Sequence, residues 1–448
     1  MSLRFGTDGV RGVANRELTP ELVTALGRAA ARVLGTEAPY VIGRDTRRSG
    51  PMLEAALVAG LCAEGADVLL AGVLPTPAVA TIAQLRGAPA AMITASHNPF
   101  GDNGVKLFAP GGRKLTDAVE QAIEHELRDL ATEAPAGPEG RGVGVSSELR
   151  DALDTYVAHV TGVLEGRRLD GVRVVVDCGH GAAFRAAPRV LRDLGVEVEV
   201  LNAAPDGTNI NAGCGSTDPS ELQQAVLAAG AHAGLAFDGD ADRLIAVDET
   251  GALVDGDQLI AIAAFDLQER GKLRGDTVVV TTMSNGALHR VLADAGIGVV
   301  EVDVGDRNVL DALAERGLSL GGEQSGHIIY ADLATTGDGI LAGIQLLDVL
   351  HGTGQRLSTL AGIVERAPQV LRAVRVGDKR RLDGDSGFWK TAQAVQADLG
   401  DTGRILVRPS GTEPVVRVMV EAATEADAAR AADRLVEAVE AVCGPPGA

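Results

Sequence analysis

Short runs of valine, isoleucine and leucine alternate along this chain with longer stretches rich in alanine, leucine, glutamate and arginine. A brief apolar run bounded by turn residues reads as a buried strand, and a longer stretch with helical spacing as a helix. The alternation therefore predicts an α/β fold. Three places share one order. Tyr40-Val41-Ile42-Gly43 precedes a polar turn and a helix over 52–63. The apolar run 172–177 precedes Gly179-His180-Gly181 and a helix over 185–194. The run 277–282 precedes Ser284-Asn285-Gly286 and a helix over 288–295. A strand, a turn and a helix opening three successive segments predict three domains of similar build. The tail differs: strands over 370–376, 405–408 and 415–421, then an alanine-rich helix over 425–442, predict a small α+β unit. A Pro/Gly-rich stretch at 134–140 falls near the end of the first domain. The expected boundaries are 1–153, 154–254, 255–368 and 369–448.

Composition narrows the class. At 448 residues the chain is too long for one hydrophobic core. Aromatics are 2% of residues, so the cores must be built from aliphatic side chains. A net charge of −20 argues against nucleic acid or an anionic membrane surface as partner. Any site for an anionic substrate must then be locally basic. Cys62, Cys178, Cys214 and Cys443 show no CxxC spacing and read as reduced thiols of a cytoplasmic protein. The first residues lack an apolar signal region, and no apolar run reaches the ~18 residues of a membrane span.

Two motifs carry chemistry. Ser96 lies in Thr94-Ala95-Ser96-His97-Asn98-Pro99, just past an expected buried strand over 88–94. Open α/β sheets bind ligands at that end of a strand. The run from Asp102 to Lys106 then returns a lysine toward the same loop. Asp238, Asp240 and Asp242 alternate with Gly239 and Ala241. Their spacing imitates a calcium-binding EF-hand, with Glu249 at the twelfth position. However, Arg243 stands where that loop needs glycine, and 233–237 and 244–247 read as strands instead of helices. The better reading is a loop between strands whose all-oxygen ligands suit Mg²⁺, without excluding Ca²⁺ or Mn²⁺, with Arg243 and other cations close by. A third loop, Arg408-Pro409-Ser410-Gly411-Thr412-Glu413-Pro414, has the composition of a phosphate grip. No Gly-x-Ser-x-Gly elbow surrounds Ser96 and no Walker loop is present, which argues against a hydrolase elbow and a nucleotide donor. Gly179-His180-Gly181 has Phe184 where a dinucleotide fingerprint needs a small residue, so it reads as a tight turn.

These motifs, with the run from Phe5 to Asn15 and Gly322-Glu323-Gln324-Ser325-Gly326-His327, resemble the α-D-phosphohexomutases in content and order over nearly the whole chain. The resemblance implies four domains around a central cleft, three similar α/β domains with mixed sheets plus a smaller C-terminal one. It implies a Mg²⁺-dependent phosphoserine enzyme that interconverts sugar phosphates through a sugar 1,6-bisphosphate. Ser96 would be the phosphoserine, with Asp238, Asp240 and Asp242 binding the metal together with its phosphoryl oxygen. Glu323 and Ser325 would hold sugar hydroxyls. Arg408, Ser410, Gly411, Thr412 and Arg417 would bind the phosphate that is not being transferred. Arg11, Lys106, His327 and Arg243 would line the reacting centre. Gln324 replaces the methionine common in the phosphomannomutase and phosphoglucomutase branches, which points to the amino-sugar branch and to glucosamine phosphates. If the stretch is extended, Glu323 and Ser325 face the sugar and Gln324 faces away. Ala241 stands where the family usually has glycine, and a right-handed backbone is expected there. Monomer and homodimer are both left open.

Overall fold

The computed structural model describes residues 9–132, 137–400, 403–410 and 414–445. Most of the Phe5–Asn15 motif is therefore in view, but Gly411, Thr412 and part of the Pro/Gly-rich stretch at 134–140 lie outside the described residues. The chain forms two compact units, one of residues 1–281 and 298–362, the other of 282–297 and 363–448.

The larger unit holds three mixed sheets. The first contains β1 (Val10–Val13), β2 (Tyr40–Arg44), β3 (Val68–Val73), β4 (Ala90–Ile93), β5 (Asp102–Ala109), β6 (Arg113–Lys114) and β7 (Ser146–Glu148). The second contains β8 (Arg173–Asp177), β9 (Glu197–Leu201), β10 (Ala233–Phe237), β11 (Leu244–Asp248) and β12 (Leu253–Val254). The third contains β13 (Thr277–Thr281), β14 (Gly298–Val302), β15 (Leu320–Gly322) and β16 (Ile328–Tyr330).

One pattern recurs in all three sheets. The first strand of the repeat pairs in parallel with the second and the third, and the fourth returns antiparallel to the third. In the first sheet these are β2, β3, β4 and β5. In the second they are β8, β9, β10 and β11, and in the third β13, β14, β15 and β16. The inner parallel strands β2, β4, β8, β10, β13 and β15 are buried on both faces, which explains unbroken apolar runs such as Val174-Val175-Val176. The loop between third and fourth strands leaves the carboxyl end of a parallel strand, where α/β sheets bind ligands. In the three repeats that loop is 94–101, 238–243 and 323–327. It carries Ser96, the aspartates and Glu323, respectively.

The smaller unit has an antiparallel sheet in the order β17 (Gln369–Arg375), β19 (Val415–Glu421), β18 (Arg404–Pro409). The helices Ser386–Leu399 and Glu425–Cys443 pack on it through Phe388, Val395, Leu435 and Val439. The helix Gly286–Asp294 belongs to this unit, and its first N–H is held by Glu421 Oε2 at 3.0 Å. All four cysteines are free thiols. Among the described residues no helix is long and apolar enough to cross a membrane.

Candidate active site

Two loops from different sheets meet in the larger unit. Ser96 is buried, and its Oγ donates to Asp238 Oδ2 at 2.5 Å. Asp238, Asp240 and Asp242 are buried with one carboxylate oxygen each inside a 4.8 Å sphere of mutual distance. They lie in the β10–β11 connection, so the flanks are strands, as the sequence pattern requires and an EF-hand does not allow. The loops touch backbone to backbone. A Cβ placed on Gly239 would lie 2.5 Å from the Ser96 carbonyl oxygen, so only glycine permits this approach.

The aspartate loop is braced from several sides. Thr76 donates through its N–H to the Asp240 carbonyl at 2.9 Å and through its hydroxyl to Asp240 Oδ2 at 2.5 Å. Gly339, the first residue of the helix Gly339–Thr353, donates its N–H to the Ala241 carbonyl at 3.0 Å. Asp338 caps that helix, accepting from the N–H groups of Ile340 and Leu341 and from the Tyr156 hydroxyl. Ala241 has φ of 56°, a left-handed backbone, which corrects the right-handed expectation. Its carbonyl is fixed by Gly339 and its N–H by the Asp238 carbonyl, so tertiary contacts impose a conformation that costs a non-glycine residue about 1–2 kcal/mol.

Cations balance the carboxylates. Lys106 Nζ lies 2.8 Å from Asp240 Oδ2 and 3.0 Å from Asp242 Oδ2. Arg243 Nε lies 3.8 Å from Asp242 Oδ1. His327 is buried, with Nδ1 3.9 Å from Asp242 Oδ2, while Nε2 accepts the Gly337 N–H at 3.2 Å. That pattern places the ring proton on Nδ1. Burial would raise the Asp242 carboxyl, but Lys106, His327 and Arg243 outweigh it and hold its pKa well below the ordinary value. Asp238 goes the other way: burial, then the like charges of Asp242 and Asp240, push it well up. Desolvation, then the Arg243 and Arg11 cations, lower His97 to about 4, so its ring is neutral at pH 7.

The donor set suits a hard divalent cation. Oδ1 of Asp240 and Oδ1 of Asp242 are shielded from solvent and have no hydrogen-bond donor among the described residues. Such oxygens are costly unless something positive meets them. Three carboxylates against Lys106 and Arg243 leave one negative charge, and two of the three keep an oxygen for a metal.

Glu323 is buried in the third loop, where its Oε1 accepts the Gly305 N–H at 3.0 Å. Residues 323–326 are not extended. Gly326 has φ of 90° and donates its N–H to the Glu323 carbonyl at 3.0 Å, closing a turn. The face argument for Gln324 therefore falls. Gln324 is half-buried, and its amide nitrogen is shielded without a partner among the described residues. Ser325 is exposed, 3.4 Å from Glu323 Oε2. In the smaller unit, Arg408 of β18 and Arg417 of β19 are directly opposite in the antiparallel register. Two like charges so paired repel, which favours an anion between them. Ser410 is buried and its carbonyl accepts from Lys379.

Sequence reasoning missed Arg47, Thr76, Asn211, Gly305, Asp338 and Lys379. All act on backbone groups or on other side chains of the loops, so no motif of ligand-bearing residues advertised them.

The larger unit thus sets a serine beside a metal-ready carboxylate cluster on repeated α/β sheets. Models of the phosphoglucomutase/phosphomannomutase family match in order: α/β/α domain I over residues 2–133, domain II over 154–251, domain III over 255–367 and the C-terminal domain over 371–438. The chain belongs to this family and is an enzyme of the phosphohexomutase class. It is 52% identical to a protein named phosphoglucosamine mutase from Desulforudis audaxviator, over 98% of each chain. A phosphoglucomutase/phosphomannomutase family protein of Burkholderia thailandensis superimposes with a TM-score of 0.82 at 29% identity, over 99% of this chain and 98% of that one. An Aspergillus fumigatus N-acetylphosphoglucosamine mutase, solved with GlcNAc-6P and magnesium, shares the fold with a TM-score of 0.71 at 18% identity, over 99% and 96%.

Proposed function

We propose that the chain is a cytoplasmic phosphoglucosamine mutase, interconverting glucosamine 6-phosphate and glucosamine 1-phosphate through phospho-Ser96 and a 1,6-bisphosphate. The observation that carries the chemistry is the Ser96 Oγ held 2.5 Å from Asp238 in a buried aspartate cluster. The substrate class rests on the named relatives, which match over the full chain.

Asp238, Asp240 and Asp242 would hold Mg²⁺, which when bound supplies charge neutralisation to the phosphoryl oxygens. Ser96 carries the phosphoryl group and surrenders it to the free hydroxyl of the sugar: the bond to Ser96 Oγ breaks as the bond to the sugar oxygen forms. The hydroxyl's proton is taken up at Nε2 of His327, the ring nitrogen that carries no proton. In the second half the other phosphate returns to Ser96 and the product leaves. Arg11 and Arg243 add positive charge beside the reacting oxygens. Glu323 and Ser325 orient the sugar through its hydroxyls. Arg408, Ser410 and Arg417, together with Gly411 and Thr412, grip the phosphate at rest by charge-assisted hydrogen bonds.

The test compares kcat/KM for glucosamine 6-phosphate, glucose 1-phosphate and mannose 6-phosphate with magnesium present. A preference of about 100-fold or more for the amino sugar is expected. A reversed preference favours a phosphomannomutase or phosphoglucomutase, and inorganic phosphate without isomer indicates a hydrolase.

A further inference from the structure

Arg47 is fully buried and has no part in the chemistry above. Arginine has five N–H donors and no acceptor, and here all five are engaged. Nε donates to Asp45 Oδ2 at 2.8 Å. One terminal nitrogen donates to the carbonyls of Ser96 at 2.8 Å and Asn98 at 2.7 Å. The other donates to the carbonyls of Pro99 and of Asp102, the latter at 3.0 Å. Four of the five bonds therefore end on the backbone of residues 96–102, the loop that carries Ser96 and the first residue of β5.

The remaining partners close a circuit. Asp45 accepts the Arg47 N–H at 2.9 Å and the Thr94 hydroxyl at 2.7 Å. Thr94 Oγ1 in turn accepts the Ser96 N–H at 2.9 Å. Ser96 is thus held at its own N–H and its own carbonyl, both referred back to the Asp45–Arg47 pair. Asn211 of the second sheet's domain adds a further donor to the Ser96 carbonyl at 2.9 Å. Ser96 has φ of 51°, left-handed for a residue with a Cβ. Such a conformation persists only where its surroundings over-determine it. A guanidinium serving only as a structural ion pair would need Asp45 and little else.

We propose that Arg47 is a positioning residue for phosphoryl transfer: its planar fork fixes the loop backbone so that Ser96 Oγ presents its phosphoryl group to the sugar and not to water. This rests on the reading of Ser96 as the phosphoryl carrier. Lysine at this position keeps the charge but offers three donors on a point charge, so it cannot hold the same four carbonyls.

The experiment uses the full chain labelled at Ser96 with ³²P from glucose 1,6-bisphosphate, then chased with glucosamine 6-phosphate. Arg47→Lys should lower kcat about 30- to 100-fold, the scale of a misplacement near 1 Å, with KM for the sugar phosphate changed less than about twofold. Inorganic phosphate released per sugar phosphate formed should rise at least about tenfold, because misalignment favours the small nucleophile. A folding role alone would lower yield and Tm but leave kcat per labelled site and that ratio at wild-type values, and this result overturns the inference. Asn211→Ala, which removes the other donor to the same carbonyl, provides the same readout if Arg47→Lys does not fold. A folded Asn211→Ala enzyme with wild-type kcat and release ratio likewise overturns it. Failure of the wild type to take label at Ser96 removes the functional reading and this inference together. Normal labelling with unchanged partition removes the inference alone.

Discussion

The loop carrying Ser96 and the turn carrying Glu323 occupy the same place in two copies of one sheet, yet they are held differently. The serine loop is locked from below by a buried guanidinium and from the side by Asn211. Its reactive oxygen is buried among carboxylates. The Glu323 turn is pinned at its backbone by Gly256 and at one carboxylate oxygen by Gly305, with Ser325 exposed and Gln324 half-buried. On the proposed function, the chemistry common to a family of sugar phosphates would lie on the fixed loop, and the part that tells one sugar from another on the other. The difference suggests that one repeat can be retuned for a new sugar while its neighbours keep the phosphoryl transfer intact.

Ser96→Ala should break the comparison most severely. It should abolish turnover and labelling by sugar bisphosphate while the circular dichroism spectrum stays unchanged. Detectable mutase activity in that variant would end the assignment. Next in size, chelation of divalent cations should abolish turnover and magnesium should restore it. Asp240→Asn should cost about 10³-fold in kcat at saturating magnesium, as expected for several kcal/mol of charge stabilisation. Because Asp240 also receives Thr76 and Lys106, its thermal stability should be measured alongside. On the looser loop, Glu323→Gln should cost about 10- to 100-fold in kcat/KM, the worth of one hydrogen bond to a charged group. It should leave labelling of Ser96 by bisphosphate near normal; loss of labelling would mean that the two loops are not separable. The smallest effect should come from Ala241→Gly. Relief of the left-handed alanine, offset by glycine's greater chain entropy, should give between zero and about 1 kcal/mol of stability at unchanged activity. A clear loss of stability would show that the buried methyl group matters more than the backbone angle.

Much of this arrangement could be read in the residues. The Val-rich runs at 173–177 and 277–281 gave strands where expected, because parallel strands buried on both faces leave an unbroken apolar signature. The strands beside Asp238 and Asp242 were equally legible and removed the calcium-loop reading. The condition that 323–326 is extended fails, because the short strands β15 and β16, three residues each, are joined there by a turn. The Ser325-Gly326 pair was the available signal, since Ser-Gly marks turns. Two features had no local signature. The left-handed Ala241 is set by contacts from Gly339, about a hundred positions away, against the residue's own preference. Arg47 acts on carbonyl oxygens, which every residue possesses, so its partners cannot be recognised by type.

The contact at Gly239 has a consequence for the reaction cycle. With the Ser96 carbonyl resting against that glycine, the serine loop has no room to shift toward the aspartate loop. On the proposed reaction, the oxygen that gives and takes the phosphoryl group would be a nearly stationary post, and the sugar would do the walking. A bisphosphorylated hexose would have to let go, swing end for end and dock again before it drifts away. How faithfully the enzyme completes each round is then a race between that somersault and escape.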